Sequence, residues 1–290
     1  MDQAEQLRII KANSQNQNRP LARVITVTSG KGGVGKSNTA INLAIWFRRL
    51  GKKVIILDAD FGLANIEIMF GTVPKHNLCD LIYQGKSIKE IITWGPMEVG
   101  FISGGSGIAG MSNLSRDYLA YIIQNLTELD AMADIIIVDT GAGIADAVLE
   151  FLVASEEILL MTTPEPTSIT DSYSLLKALY RHPRYRQEMT RVKMLANRVD
   201  RESDGEVLYE KLNAVVARYL KIPMEYLGSV PQDAQLAKAV MQQVPVSLQN
   251  QTARSSAAYE RIARRLLDME EEKQPKRGMA EFLAHIVGRR

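Results

Sequence analysis

The chain has a single cysteine, Cys79, in 290 residues, so no disulfide can close within it. One thiol fits a reducing cytosol, and the absence of any C-x-x-C argues against an iron–sulfur carrier. No stretch of about 18 apolar residues occurs, so no membrane-spanning helix is expected. The first residues are polar and charged with no apolar core, and no secretory signal is expected. Excess charge is missing too. With 35 Lys and Arg against 33 Asp and Glu, the formal net charge is +2, so any basic partner surface must be local. What remains is an ordinary globular mixture, 46% hydrophobic and 23% charged. It is long enough for one large α/β domain with a full core.

The densest chemistry lies in Ser29-Gly30-Lys31-Gly32-Gly33-Val34-Gly35-Lys36-Ser37, which satisfies G-x-x-x-x-G-K-[ST] from Gly30 to Ser37. Glycines let successive backbone N–H groups turn inward around phosphate oxygens, and a helix starting near Lys36 adds its positive end. Gly32, Gly33, Val34, Gly35, Lys36, Ser37 and Asn38 are therefore the expected nucleotide contacts. Lys36 should reach the β- and γ-phosphates, with the Ser37 hydroxyl on Mg²⁺. The context fits, because Val24–Thr28 reads as a buried strand and the apolar spacing from Asn38 to Leu50 is helical, ending at Gly51. Lys31 is a second lysine at the loop's start. It either serves a nucleotide held by a second subunit or is a solvated surface lysine.

The stretch Lys31–Ser37 resembles the deviant Walker A box of the MinD/ParA ATPases. That resemblance implies a doubly wound, mainly parallel sheet of the SIMIBI phosphate-loop type and a homodimer closed around two ATP molecules. It also implies a catalytic Lys31 that crosses to the partner's phosphates.

The strand Lys53–Leu57 delivers Asp58-Ala59-Asp60 to its C-terminal end, where ligands sit in such sheets. Two carboxylates beside phosphate suit metal-shell and water-positioning roles. Asp58 to Asn65 is similar to the family's switch I, D-x-D-x-x-x-x-N, which implies that Asp60 orients the attacking water and Asp58 supports the metal shell. The run Asp134–Val138 ends at Asp139-Thr140-Gly141-Ala142-Gly143. An apolar strand closing on one acid is the Walker B arrangement, with Asp139 holding Mg²⁺ and the glycines freeing switch II. Phe101–Gly107 reads as a strand and a glycine loop near the dimer interface.

Glu157–Pro164 is a further buried strand, followed by a helix over 168–181. The cluster Arg181 to Arg186, with Lys177, Arg191 and Lys193, is either a basic docking face or a solvated helix end. Val192–Ala196 leads to Asn197-Arg198-Val199-Asp200, which resembles the guanine-reading N-K-x-D motif, so GTP has to be weighed. In MinD-like ATPases an asparagine after this strand contacts adenine, and Pro231-Gln232-Asp233 completes the pocket. By that resemblance Asn197, Arg198, Pro231 and Asp233 hold the base of ATP.

Three segments are expected: a tail over 1–20, an ATPase domain over 21–273, and a linker with amphipathic helix over 274–290. Asn13–Asn18 is a polar low-complexity linker. Asp2 to Arg8 is similar to the D-Q-A-x-x-L-R segment of the FlhG-type flagellar regulators. There it engages FlhF, a signal-recognition-particle-type GTPase, and stimulates its hydrolysis. The carry-over falls on Asp2, Gln3, Ala4, Leu7 and Arg8, with basal-body switch proteins as further partners.

At the other end a helix over 252–273 finishes the domain. Beyond it Met279, Phe282, Leu283, Ile286 and Val287 make one apolar stripe flanked by Lys276, Arg277, Arg289 and Arg290. This suits a helix lying in an anionic membrane surface, or one packed on the domain or a dimer partner. The expected location is cytoplasmic, and peripheral on the inner membrane face when ATP is bound. Two rivals share the core, a MinD-type division-site ATPase and a DNA-partitioning ParA. The latter needs a coherent basic surface, and nucleic acid is not an expected partner.

Overall fold

Six runs of β-branched and aliphatic residues form the centre of one sheet, and both of its faces are covered. The computed structural model describes residues 21–60, 65–105 and 125–268. In chain order the strands are β1 (Arg23–Ser29), β2 (Val54–Ala59), β3 (Thr93–Trp94), β4 (Gly100–Ile102), β5 (Ile135–Ala142), β6 (Glu157–Thr162), β7 (Arg191–Val199) and β8 (Met224–Pro231). They lie side by side in the order β3-β4-β2-β5-β1-β6-β7-β8. Every pairing is parallel except β3 with β4. This is the doubly wound, mainly parallel sheet that the sequence predicts.

Burial on both faces explains why the central strands read as continuous apolar runs. Alternate residues still divide between the two sides. Ile25, Val27, Ile137, Leu159 and Met161 pack with α1 (Lys36–Arg49) and α10 (Arg254–Asp268). That layer also holds α2 (Asn65–Phe70), α8 (Ala234–Met241) and α9 (Val246–Gln249). Ile136, Val138, Ile158, Leu160 and Met194 face the other layer. It comprises α3 (Leu78–Gln84), α4 (Ile88–Ile91), α5 (Asp146–Ala154), α6 (Pro166–Arg181) and α7 (Glu202–Tyr219).

The expected basic cluster is not one surface. Lys193 is 1% exposed and sits inside the sheet's N-terminal end, with its Nζ on Glu157 Oε1. Arg23 holds the same carboxylate with both arms, Nε to Oε2 at 2.7 Å and Nη2 to Oε1 at 2.8 Å. Arg184 pairs with Glu150 on α5 instead. A lysine deep in a strand therefore reads as surface charge only until its partner, 36 residues away, is placed.

Burial pushes the Glu157 carboxyl up, but hydrogen bonds and charge from Arg23 and Lys193 prevail and hold it below its ordinary 4.5. Glu157→Ala would remove the carboxylate that Arg23 and the buried Lys193 share, so a loss of about 3–5 kcal/mol is expected in urea unfolding at pH 7. Because the folded pKa lies below the unfolded one, this stabilisation is complete above the unfolded value and fades as pH falls through the folded value. The gap between parent and variant should therefore narrow from pH 7 toward pH 3.

Candidate nucleotide site

The sheet order places β2, β5 and β1 side by side, so their C-terminal ends deliver three motifs to one spot. Register makes this exact to the residue, since Asp58 lies opposite Asp139, and Asp139 opposite Val27. Between β1 and α1 the chain turns through Gly33 at φ 73° and Gly35 at φ 101°, left-handed values that suit glycine. Gly30 is required for a different reason. A Cβ there would come within 2.1 Å of the Asp171 backbone on α6.

Lys36 opens α1 and is only 9% exposed, its Nζ 3.3 Å from Ser29 Oγ. Burial lowers its pKa, opposed by the charges of Asp139 and Asp60. Asp139 is fully buried, and both carboxylate oxygens lack a hydrogen-bond partner of good geometry. Burial drives it up to about 7, with the Ser37 hydroxyl and Lys36 close enough to pull the other way. Asp58 is 1% exposed and stands at about 8, raised by burial and by the neighbouring Asp139. Backbone N–H groups of Asp60 and Ile66 oppose that rise. Asp60 lies against switch II, its Oδ1 3.3 Å from where a Cβ on Gly141 would be.

Two buried carboxylates with raised pKa values and an orphaned pair of oxygens are what a cation would satisfy. Among the described residues no three His, Cys, Asp or Glu side chains could hold a metal by themselves. A pair of carboxylates suits Mg²⁺, which keeps water and takes one or two carboxylates together with nucleotide phosphates. Asp139, Asp58 and Ser37 would be the residues to hold it.

Lys31 points away from its own cradle. Its Nζ bonds Glu165 Oε2 and, at 2.9 Å, Thr167 Oγ1, both at the start of α6. Glu165 and Thr167 are absent from the sequence-derived site. Their only signal was the turn Thr163-Pro164-Glu165-Pro166 after a buried strand.

Of the four expected base residues, Asn197 and Arg198 bond the phosphate loop. Asn197 Nδ2 donates to Val34 O at 2.7 Å, and its Oδ1 accepts from Arg198 N at 2.9 Å. Arg198, at φ 58°, reaches Gly33 O at 2.7 Å. Asp233 caps α8 through Gln235 N and also accepts from Ser255 N and Oγ. Burial pushes it up, but those bonds and Arg254 leave it below its ordinary value. Pro231 ends β8 opposite Val199. Asn38 Oδ1 accepts from Asn42, inside α1. Segments 2–8 and 279–287 and switch residues 61–64 lie outside the described residues, as do 106 and 107 of the glycine loop. Among the described residues no helix is long and apolar enough to cross a membrane.

Residues 25–246 match the CobQ/CobB/MinD/ParA nucleotide binding domain. The chain is 37% identical to the antiactivator FleN of Pseudomonas aeruginosa, covering 91% of this chain and 93% of that protein. It is 33% identical to the flagellum site-determining protein YlxH of Helicobacter pylori, over 77% and 74% of the two. Among solved structures, septum site-determining MinD complexed with Mg-ADP from Pyrococcus horikoshii superposes with a TM-score of 0.68. Its identity is 21%, over 86% of this chain and 97% of that one.

Proposed function

The chain belongs to the CobQ/CobB/MinD/ParA nucleotide-binding family, as a MinD-like ATPase that uses Mg²⁺, and from that premise we propose that it is a dimerising switch controlling flagellar number and placement. The observation that carries the reading is Lys31. Lys36 already occupies the cradle, whereas Lys31 is held outside it by Glu165 and Thr167, free to be exchanged onto a second molecule's nucleotide.

In this reading the backbone from Gly32 to Ser37 cradles the phosphates and Lys36 neutralises them. Asp139, Asp58 and Ser37 hold Mg²⁺, whose charge offsets that of the phosphates. Asp60, on switch I against Gly141, aligns the attacking water in line with the γ-phosphate. Asn197, Arg198, Pro231 and Asp233 form the side on which adenine is read. Since Asn197 and Arg198 also grip Val34 and Gly33, base and phosphate recognition share one set of bonds. ATP closes the dimer across Lys31, and hydrolysis reopens it.

The flagellar assignment follows the names of the two relatives, FleN and YlxH. It extends to the tail, where Asp2, Gln3, Ala4, Leu7 and Arg8 would engage an FlhF-type GTPase, and to switch proteins of the basal body. Residues 279–287 would attach the ATP-bound dimer to lipid, two weak helices gaining by avidity. The test is GTP hydrolysis by the FlhF-type GTPase with a peptide of residues 1–20, the same peptide carrying Gln3→Ala, and no peptide. Stimulation of at least about tenfold that vanishes with Gln3→Ala is expected, the size of effect set by one positioned group. Equal rates in all three would remove the tail from the switch and leave a division-site type of MinD.

A further inference from the structure

Ser29 closes β1 and is 0% exposed, a buried hydroxyl where the phosphate loop leaves the sheet. Its Oγ donates to Lys31 O at 2.7 Å and accepts from Lys36 Nζ at 3.3 Å. A hydroxyl carries one proton and two lone pairs, so both bonds hold at once. Its backbone carbonyl accepts from Gly143 N of switch II at 3.0 Å. The register of β1 on β5 brings that glycine within reach. Val27 lies opposite Asp139 but Ser29 opposite Ala142, so β5 carries an extra residue between the two pairs. Bulges of this kind re-aim the chain beside active sites. Thr140 fills this one, its Oγ1 3.1 Å from Val27 O and 3.2 Å from Thr28 Oγ1.

The loop's carbonyls are drawn back toward the sheet at both ends. Arg198 and Asn197 of β7 hold those of Gly33 and Val34, and Ser29 holds that of Lys31. Lys31 is therefore restrained in two ways of different permanence. Its ammonium rests on Glu165 and Thr167 at the surface, where solvent competes for it. Its carbonyl is bonded by a buried hydroxyl. A side chain that exchanges partners across an interface keeps its aim only if the backbone bearing it stays in place. Misplacement by about 1 Å costs on the order of 10² in rate.

We propose that Ser29 is a positioning residue for ATP hydrolysis that acts through Lys31. Its hydroxyl fixes the Lys31 backbone so that the ammonium is delivered to the nucleotide of a second copy of this chain, and its carbonyl ties the same point to switch II. This rests on the trans role of Lys31 proposed for the switch. The test uses the full-length parent, Ser29→Ala, Lys31→Ala and Asp60→Asn, the first three also mixed in equal amounts with Asp60→Asn. Ser29→Ala should lower phosphate release at saturating Mg²⁺-ATP by at least about tenfold. Binding of a fluorescent ATP analogue should stay within about threefold of the parent. Without nucleotide, amide exchange over residues 30–35 should quicken by at least about threefold, a readout independent of turnover.

Asp60→Asn does not align its own water but still presents an intact Lys31. Mixed with it, Ser29→Ala should recover to roughly a quarter of the parent rate, because half of randomly paired dimers are mixed and each has one complete site. No recovery where Lys31→Ala does recover would place the hydroxyl's effect on its own cradle and overturn this inference alone. Failure of Lys31→Ala to recover would overturn the trans reading and the inference with it. ATP affinity lost in step with turnover, or unchanged amide exchange, would also overturn the inference. Ser29→Cys, of like size with a weaker donor, separates packing from the hydrogen bond, and parent-level turnover in that variant would count against the inference.

Discussion

Replacing Lys31 by alanine should lower ATP turnover by about 10³-fold or more while changing ATP affinity by only a few-fold, because a cation supplied in trans acts on the transition state. The side chain has no duty toward its own cradle. Lys36 is buried there beside Ser29, and Lys31 leans instead on Glu165 and Thr167. Reaching a second molecule's phosphates means surrendering those two bonds, so dimer closure exchanges a local ion pair for one across the interface. That pair is exposed to solvent and therefore weak, a restraint that the charge of a γ-phosphate overcomes easily.

The measurement is phosphate release at saturating ATP alongside binding of a fluorescent ATP analogue, for the parent, Lys31→Ala and Lys36→Ala. Lys36→Ala should lose binding itself. If Lys31→Ala weakened binding and left turnover at saturation untouched, Lys31 would be a contact to its own nucleotide and the switch would lose its trans element.

The phosphate loop, both switch acids and six of the strands were legible because each is local. A buried parallel strand announces itself as an apolar run, and a loop that must approach phosphate announces itself in glycine. What was not legible depends on pairs distant in sequence. Glu165 is exposed and unremarkable until its contact with Lys31, 134 residues earlier, is known. Lys193 looks like one more basic residue near Arg191, and only its place opposite Glu157 makes it core. The helices α5 and α7 were also missed. Along α7, Leu208, Leu212 and Val216 are spaced among many charged residues, so the charge pattern obscured the stripe, whereas α5 is a short, largely apolar run whose periodicity does not separate helix from strand.

Asp233 and Asn197 show the opposite gap. Their motif resembles a base-reading one, whereas the fold employs their side chains as a helix cap and as a brace on Val34.

Asp58→Asn should raise the melting temperature of the nucleotide-free protein by several degrees at pH 8, even as it abolishes hydrolysis. Asp58 has an ordinary value of 3.8 and stands at about 8 in the fold, so the folded chain holds a proton that the unfolded chain has released. Stability is unaffected below the unfolded value. It falls by about 1.4 kcal/mol per pH unit between the two values, so the full penalty is present at pH 8. Asparagine removes this cost without changing shape, and the gain should be small at pH 5 and grow steadily to pH 8.

Asp139, at about 7, is buried opposite Asp58 on the neighbouring strand, so the pair releases its protons jointly. Mg²⁺-ATP substitutes for those protons. Its addition should stabilise the parent more at pH 8 than at pH 6 and reverse the advantage of Asp58→Asn. Melting curves at pH 5, 6.5 and 8, with and without Mg²⁺-ATP, decide the matter. A pH-independent difference between parent and variant would mean that Asp58 is ionised in the empty fold and already compensated. The carboxylate pair would then not be the strained, cation-seeking centre around which the nucleotide site is built.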